Sequence, residues 1–165
     1  MGLIITPLRA LALLEESELH GGHPCTRHIG LSNDGLMQRL YNGEGAQNGG
    51  IAYISTFQTR MDAARAASQA FKNMPVGIAE ALRSSERTRQ IRIDEIINVR
   101  FAMGGGARWF PCNHVALILF ANAQQKKDGL FYVKTFYPLP PNMLRVTSLP
   151  GNVDGSVQTG PSPRS

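Results

Sequence analysis

The chain has 165 residues, 42% of them hydrophobic, which is enough for one substantial core and short for two ordinary domains. Lys and Arg number 17 against 12 Asp and Glu, a formal net charge of +5; thirteen of those cations are Arg, whose planar fork of donors suits a polyanion such as nucleic acid. Two cysteines, Cys25 and Cys112, exclude a dense disulfide framework, and no apolar run approaches the roughly 20 residues of a membrane span.

From Leu8 to Leu19 the run LRALALLEESEL has strong helix formers and no breaker, and predicts a short helix. Residues 1–20 read as a helix or linker remnant ahead of the domain. Gly21 and Gly22 end it, and PCTRHIG from Pro24 predicts a turn of helix that carries His28 and stops at Gly30. Ser32 then suits the N-cap of a helix over Asn33 to Tyr41, with Asp34 in its first turn. Leu36, Leu40 and Tyr41 form its inward face, and Arg39 projects beside them.

GEGAQNGG, residues 43–50, predicts a flexible loop, and IAYISTF (51–57) has the β-branched and aromatic content of a strand. Thr59 caps a long helix in which Met61, Ala64, Ala67, Ser68 and Phe71 recur at helical spacing, and VGIAEALR continues as a second helix beyond Pro75. TRQIRIDEIINVRF, HVALILF (114–120) and LFYVKTFY (130–137) predict three strands joined by polar turns. Successive strands without helices between them cannot make parallel crossovers. The expectation is therefore an α+β domain, with N-terminal helices packed on a twisted antiparallel sheet. After Tyr137 the chain turns rich in Pro, Gly and Ser, so the domain is expected to occupy 21–141 and a flexible tail 142–165.

Four histidines, at 20, 23, 28 and 114, are the natural proton-transfer candidates. The bunched His20, His23, Cys25 and His28 match no zinc-ligand spacing, and no metal site is expected. Packing at a turn accounts for His23 and a strand start for His114, while Arg39 has the look of an amphipathic residue with its stem on the core. Thr135 and Tyr137, two apart on a strand, share one face while Phe136 points to the other. Cleaving RNA without a metal requires a base near the 2′-hydroxyl, a donor for the leaving oxygen and fixed positive charge, and His, Arg and hydroxyl side chains can supply all three.

Four short pieces occur in a telling order: GGHPCTRHIG, a following helix with Arg39, ISTF at 54–57, and FYVKTFYP. Together they resemble the ribonuclease A-like toxin domains of bacterial contact-dependent inhibition systems, over Gly21 to Pro138. The resemblance implies a ribonuclease A-like fold and a metal-independent, cofactor-free endoribonuclease that leaves a 2′,3′-cyclic phosphate. It implies a catalytic set of His28, Arg39 eleven residues later, Thr135 and Tyr137, with His23 and Lys134 in substrate-binding roles. His23, His114 and Tyr137 are three candidates for the general acid. It further implies a monomer, a cognate immunity protein over the cleft, and delivery as the tail of a larger secreted or surface protein into a target cell's cytoplasm. One departure is Leu31, where the family tends to place a lysine; Lys134 is the candidate replacement. A Cys25–Cys112 bridge, if formed, would tether the His28 segment to the sheet.

Two rival readings accompany this one. A non-catalytic basic module would bind RNA through arginines alone. An ADP-ribosyltransferase would use the Ser55–Thr56 strand but needs a Glu-x-Glu, where this chain offers only adjacent Asp94 and Glu95.

Overall fold

Hydroxyl side chains start the three long helices. Thr6 Oγ1 accepts from the Arg9 amide (3.2 Å) ahead of α1 (Pro7–Ser17), Ser32 Oγ from Gly35 (3.0 Å) ahead of α2 (Asn33–Tyr41), and Thr59 Oγ1 from Asp62 (3.0 Å) ahead of α3 (Arg60–Lys72). Two shorter α-helices, α4 (Ile78–Arg83) and α5 (Ala123–Lys127), and a 3-10 turn at Glu18–His20 accompany them among the described residues. The structure, a computed structural model, describes residues 2–48, 51–83, 89–104 and 106–140; the tail expected at 142–165 lies outside them. Among the described residues no helix is long and apolar enough to cross a membrane.

Strands β1 (Ala46–Asn48), β2 (Ile51–Phe57), β3 (Arg89–Met103), β4 (Gly106–Phe120) and β5 (Tyr132–Pro138) form one antiparallel sheet in sequential order. The α+β class expected from the helix-then-strand order is what the chain adopts. Helices α1 and α3 cover one face. Ala10, Leu14, Ala63, Ala67 and Phe71 meet Val115, Leu117, Val133 and Phe136 in the main core. There the Phe57 and Phe136 rings stack at 5.3 Å.

Strands β3 and β4 each run 15 residues, and their register shifts between Arg92 and Ile97. The outer strands flank opposite halves of this long pair: β2 pairs with Val99 to Ala102 of β3, and β5 with Val115 to Phe120 of β4. A sheet of that length twists and bends, and the irregularity lets it do so sharply. The two outer strands consequently touch, Ser55 Oγ donating to the Pro138 carbonyl at 2.7 Å. Tyr53, Phe101, Ala116 and Leu139 fill the space between the halves, while α2 lays Leu36 on Ile54 and Ala102.

Several expectations need correction. Residues 1–20 are not a remnant outside the domain: Ala10 and Leu14 are fully buried, and Ser17 Oγ accepts from the Val133 amide at 2.9 Å. Tyr41 is 78% exposed rather than inward, because the α2 stripe that reaches the sheet centres on Leu36. Met61 is likewise exposed, since α3 buries its alanines and Phe71 instead. Within 43–50, β1 pairs with β2 where a loop was expected. Strand β4 begins at Gly106, eight residues before the expected start; it tolerates Pro111 because β5 reaches only Val115 and leaves that stretch an edge. Cys25 and Cys112 are both free thiols.

Candidate active site

The GGH segment is held against β5 by contacts that leave no room for a side chain. A Cβ on Gly22 would lie 2.1 Å from the Val133 carbonyl oxygen, and Gly21 adopts a left-handed φ of 97°. Beside them the His23 amide donates to the Lys134 carbonyl at 3.0 Å. The Glu18 carboxylate then accepts from the amides of Cys25 and Thr26, starting the single turn closed by Ile29 N–H on the Cys25 carbonyl (3.0 Å). From His28 the chain runs parallel to the end of β2, exchanging Phe57 N–H to His28 O (2.8 Å) and Gly30 N–H to Phe57 O (2.7 Å). The backbone of His28 is thus pinned to β2, and that of His23 to β5.

The His28 ring has a defined tautomer. Nδ1–H donates to the Ser55 carbonyl at 3.1 Å, which leaves the Nε2 lone pair free. The ring faces Tyr137 with centroids 5.1 Å apart. Burial pushes its pKa from 6.5 down to about 4; the Ser55 bond opposes this, and the positive charges of Arg39, Arg27 and His23 add to it. His28 is therefore neutral, and able to accept a proton, throughout the physiological range.

Arg39 lies in the last turn of α2, where it complements the helix dipole. Its Nε–H donates to Glu44 Oε1 at 2.8 Å and its Nη1 to the Arg27 carbonyl at 2.6 Å. Glu44 reaches it through the helix stop itself. Gly43, at φ 78°, donates to the Leu40 carbonyl and Glu44 to the Arg39 carbonyl, both at 3.0 Å. This is the paired-bond stop in which the residue after the left-handed glycine folds back over the last turn. An ion pair replaces the hydrophobic contact usual at that place, and the Arg39 bond holds the Glu44 carboxyl below its ordinary pKa.

On β5, Thr135 pairs with Ile118 and Tyr137 with Ala116, so both face away from buried Phe136, as their spacing predicted. A register shift between Ile118 and Leu119 leaves Lys134 as an extra residue. That bulge brings Lys134 and Thr135, neighbours that would ordinarily point apart, onto the same cleft.

A cleft of about 270 Å³ is lined by all six residues singled out in the sequence: His23, His28, Arg39, Lys134, Thr135 and Tyr137. Arg27, Glu44, Tyr53 and Ile118 also line it and were missed, and Ser55, expected to act only in a transferase, lines it too. Arg27 had one readable signal, its position directly before His28. His114 does not reach the cleft: it lies on β4 opposite Arg92, its Nδ1 2.9 Å from Asn113 Oδ1, which removes it as a general acid. Leu31 packs beside α2, so position 31 gives the cleft no cation; Arg27 and Lys134 do. Asp94 and Glu95 are bound to α3 and its C-cap, through Asn73 (2.8 Å) and Lys72 for the first and Gln69 (2.5 Å) and Arg65 (3.3 Å) for the second. Among the described residues no three His, Cys, Asp or Glu side chains stand together as a metal site. Comparison with protein-family models, curated proteins and solved structures finds no match to this chain.

Proposed function

We propose that the chain is a metal-independent endoribonuclease whose reaction takes place in this cleft. The observation that carries the reading is convergence: the His28 turn, the end of α2 and strand β5, remote in sequence, deliver a neutral imidazole, a guanidinium and two hydroxyls to one cavity. Nε2 of His28 removes the proton of a ribose 2′-hydroxyl, and the freed oxygen attacks the adjacent phosphorus. The bond from phosphorus to the 5′-oxygen breaks, giving a 2′,3′-cyclic phosphate, and the 5′-oxygen leaves as a hydroxyl after taking a proton from His23 or Tyr137. Arg39 meets the negative charge that builds on the nonbridging oxygens. Of its five N–H groups, Glu44 and Arg27 hold two in place, which fixes the guanidinium plane before substrate arrives. Thr135, able to donate and accept, reads a base edge.

The sequence resemblance to contact-dependent inhibition toxins extends the proposal to interbacterial competition, with an immunity protein as partner. An acidic inhibitor would suit a cleft in which cations outnumber carboxylates. The test is cleavage of RNA by the purified chain in EDTA, with the end group of the product identified. A 2′,3′-cyclic end is expected, together with loss of cleavage in both His28→Ala and Arg39→Ala. Full cleavage by either variant removes that residue's role, and loss of wild-type activity in EDTA ends the metal-independent claim. Binding without turnover, unaffected by His28→Ala, would leave a basic RNA-binding module instead.

A further inference from the structure

Past Thr135 the cleft opens onto a part of the sheet that no catalytic role uses. Phe120 and Tyr132 are partners across β4 and β5, their rings 5.6 Å apart and both partly exposed, although Leu119 and Val133 beside them are buried. The exposed ring of His20 stacks on Tyr132 at 6.0 Å and 29°, while Phe120 meets Tyr132 edge-on at 63°, so the three rings form one exposed aromatic cluster. Lys134, which already lines the cleft, holds its Nζ 5.4 Å from the Phe120 ring centroid. Exposed Lys126 and Lys127 lie on α5, which joins β4 to β5 at this end; the nearby Asp128 carboxylate accepts from Gln124 at 3.2 Å.

Aromatic faces interleaved with cations, continuous with a cleft that takes a phosphodiester, are what an unpaired nucleotide strand requires: bases stack on rings and phosphates meet ammonium groups. We infer that Phe120, Tyr132 and His20 form a second nucleotide subsite, a stacking platform for the unpaired base next to the scissile one, with Lys134 on the connecting phosphate. The inference rests on the reading of the cleft as an RNA site. Because Lys134 is the extra residue of a bulge, Thr135 and Tyr132 pair with Ile118 and Phe120, two positions apart and roughly 7 Å along the strand, the reach of a neighbouring nucleotide. Lys134 is suited to serve both places, since its exposed contact with Phe120 is weak enough for a phosphate to displace.

Fluorescence anisotropy with a 2′-O-methylated, uncleavable hexanucleotide, and its displacement by a 2′-O-methyl nucleoside 3′-phosphate, tests this on the full chain. Tyr132→Ala and Phe120→Ala are each expected to raise the Kd of the hexamer about tenfold. Mononucleotide binding should change less than twofold. Tyr132→Phe, which keeps the ring, should bind the hexamer as wild type does; it guards against loss of binding through misfolding. Equal weakening at both lengths, an unchanged hexamer Kd, or a wild type that binds the hexamer no better than the mononucleotide would each overturn the subsite. The two readings can fail separately. A chain that cleaves no RNA but shows the length-dependent loss keeps the subsite and loses the nuclease, whereas cleavage with hexamer binding unaffected by the variants does the reverse.

Discussion

Two charged regions of the molecule treat their charge in opposite ways. Along α3, Arg65 meets Asp62 at 2.7 Å and Glu95 at 3.3 Å, Lys72 meets Asp94, and Arg60 meets Glu15. In the cleft, Arg27, Arg39 and Lys134, together with two histidines, share a single carboxylate, Glu44, among the described residues. The net charge of +5 is therefore a poor guide to where an anion binds. Paired charges on the scaffold cancel within a few ångströms, whereas the cleft sets three cations against one carboxylate in a concavity whose walls concentrate their field.

The most direct way to break that contrast is to delete charge and base on the cleft side. Arg39→Ala and His28→Ala are each expected to lower kcat/KM on RNA by about 10³-fold with the fold retained, as steady-state kinetics and circular dichroism would show. If either variant unfolds the chain instead, the cleft is scaffold like α3 and the contrast is lost. The next effect concerns stability and pH. Because the folded value for His28 is about 4 against 6.5 ordinarily, the unfolded chain binds the proton first as pH falls. Stability from this residue is thus complete above pH 6.5 and lost on descending through pH 4, by about 3 kcal/mol. Urea midpoints at pH 7 and pH 4 should fall further for wild type than for His28→Gln, and equal falls would refute the half-buried, neutral imidazole. The same value keeps the acid limb of kcat/KM near pH 4. Smaller again, Glu44→Gln should lower kcat about tenfold with KM little changed, because the guanidinium loses its orientation and keeps its charge. A rise in activity would show Glu44 to be a competitor for Arg39.

How much of this was legible in the sequence depends on how local the cause is. Helix caps at Ser32 and Thr59, and the shared face of Thr135 and Tyr137, follow from a few neighbouring residues and could be read directly. Lys134 shares that face only through a bulge against Ile118, and alternation along the strand would have turned it away. Glu44 lay in a stretch whose glycines suggested looseness. Yet Asn42–Gly43 directly after a helix is a stop signal, and Gly43 makes the position of Glu44 rigid. His114 looked equivalent to His23 because both begin or end an element; only the pairing of β3 with β4 shows that it faces Arg92, outside the cleft. The meeting of Ser55 with Pro138, which closes the two halves of the sheet on each other, spans 83 residues and has no local signature at all.

The smallest expected effect comes from the other side of the contrast. Arg65, 40% exposed and bonded to both Asp62 and Glu95, is the best-connected cation of the scaffold. Exposed pairs recover little beyond what water already supplies, so Arg65→Met should cost at most about 1 kcal/mol in a urea melt. That loss should shrink as salt rises toward 1 M, since the pairs it breaks are themselves screened. Turnover of RNA should stay within twofold of wild type, although the substitution removes the same formal charge as Arg39→Ala. Should RNA affinity instead fall equally for both variants, total charge would govern binding, and the excess of cations over carboxylates in the cleft would carry no special weight.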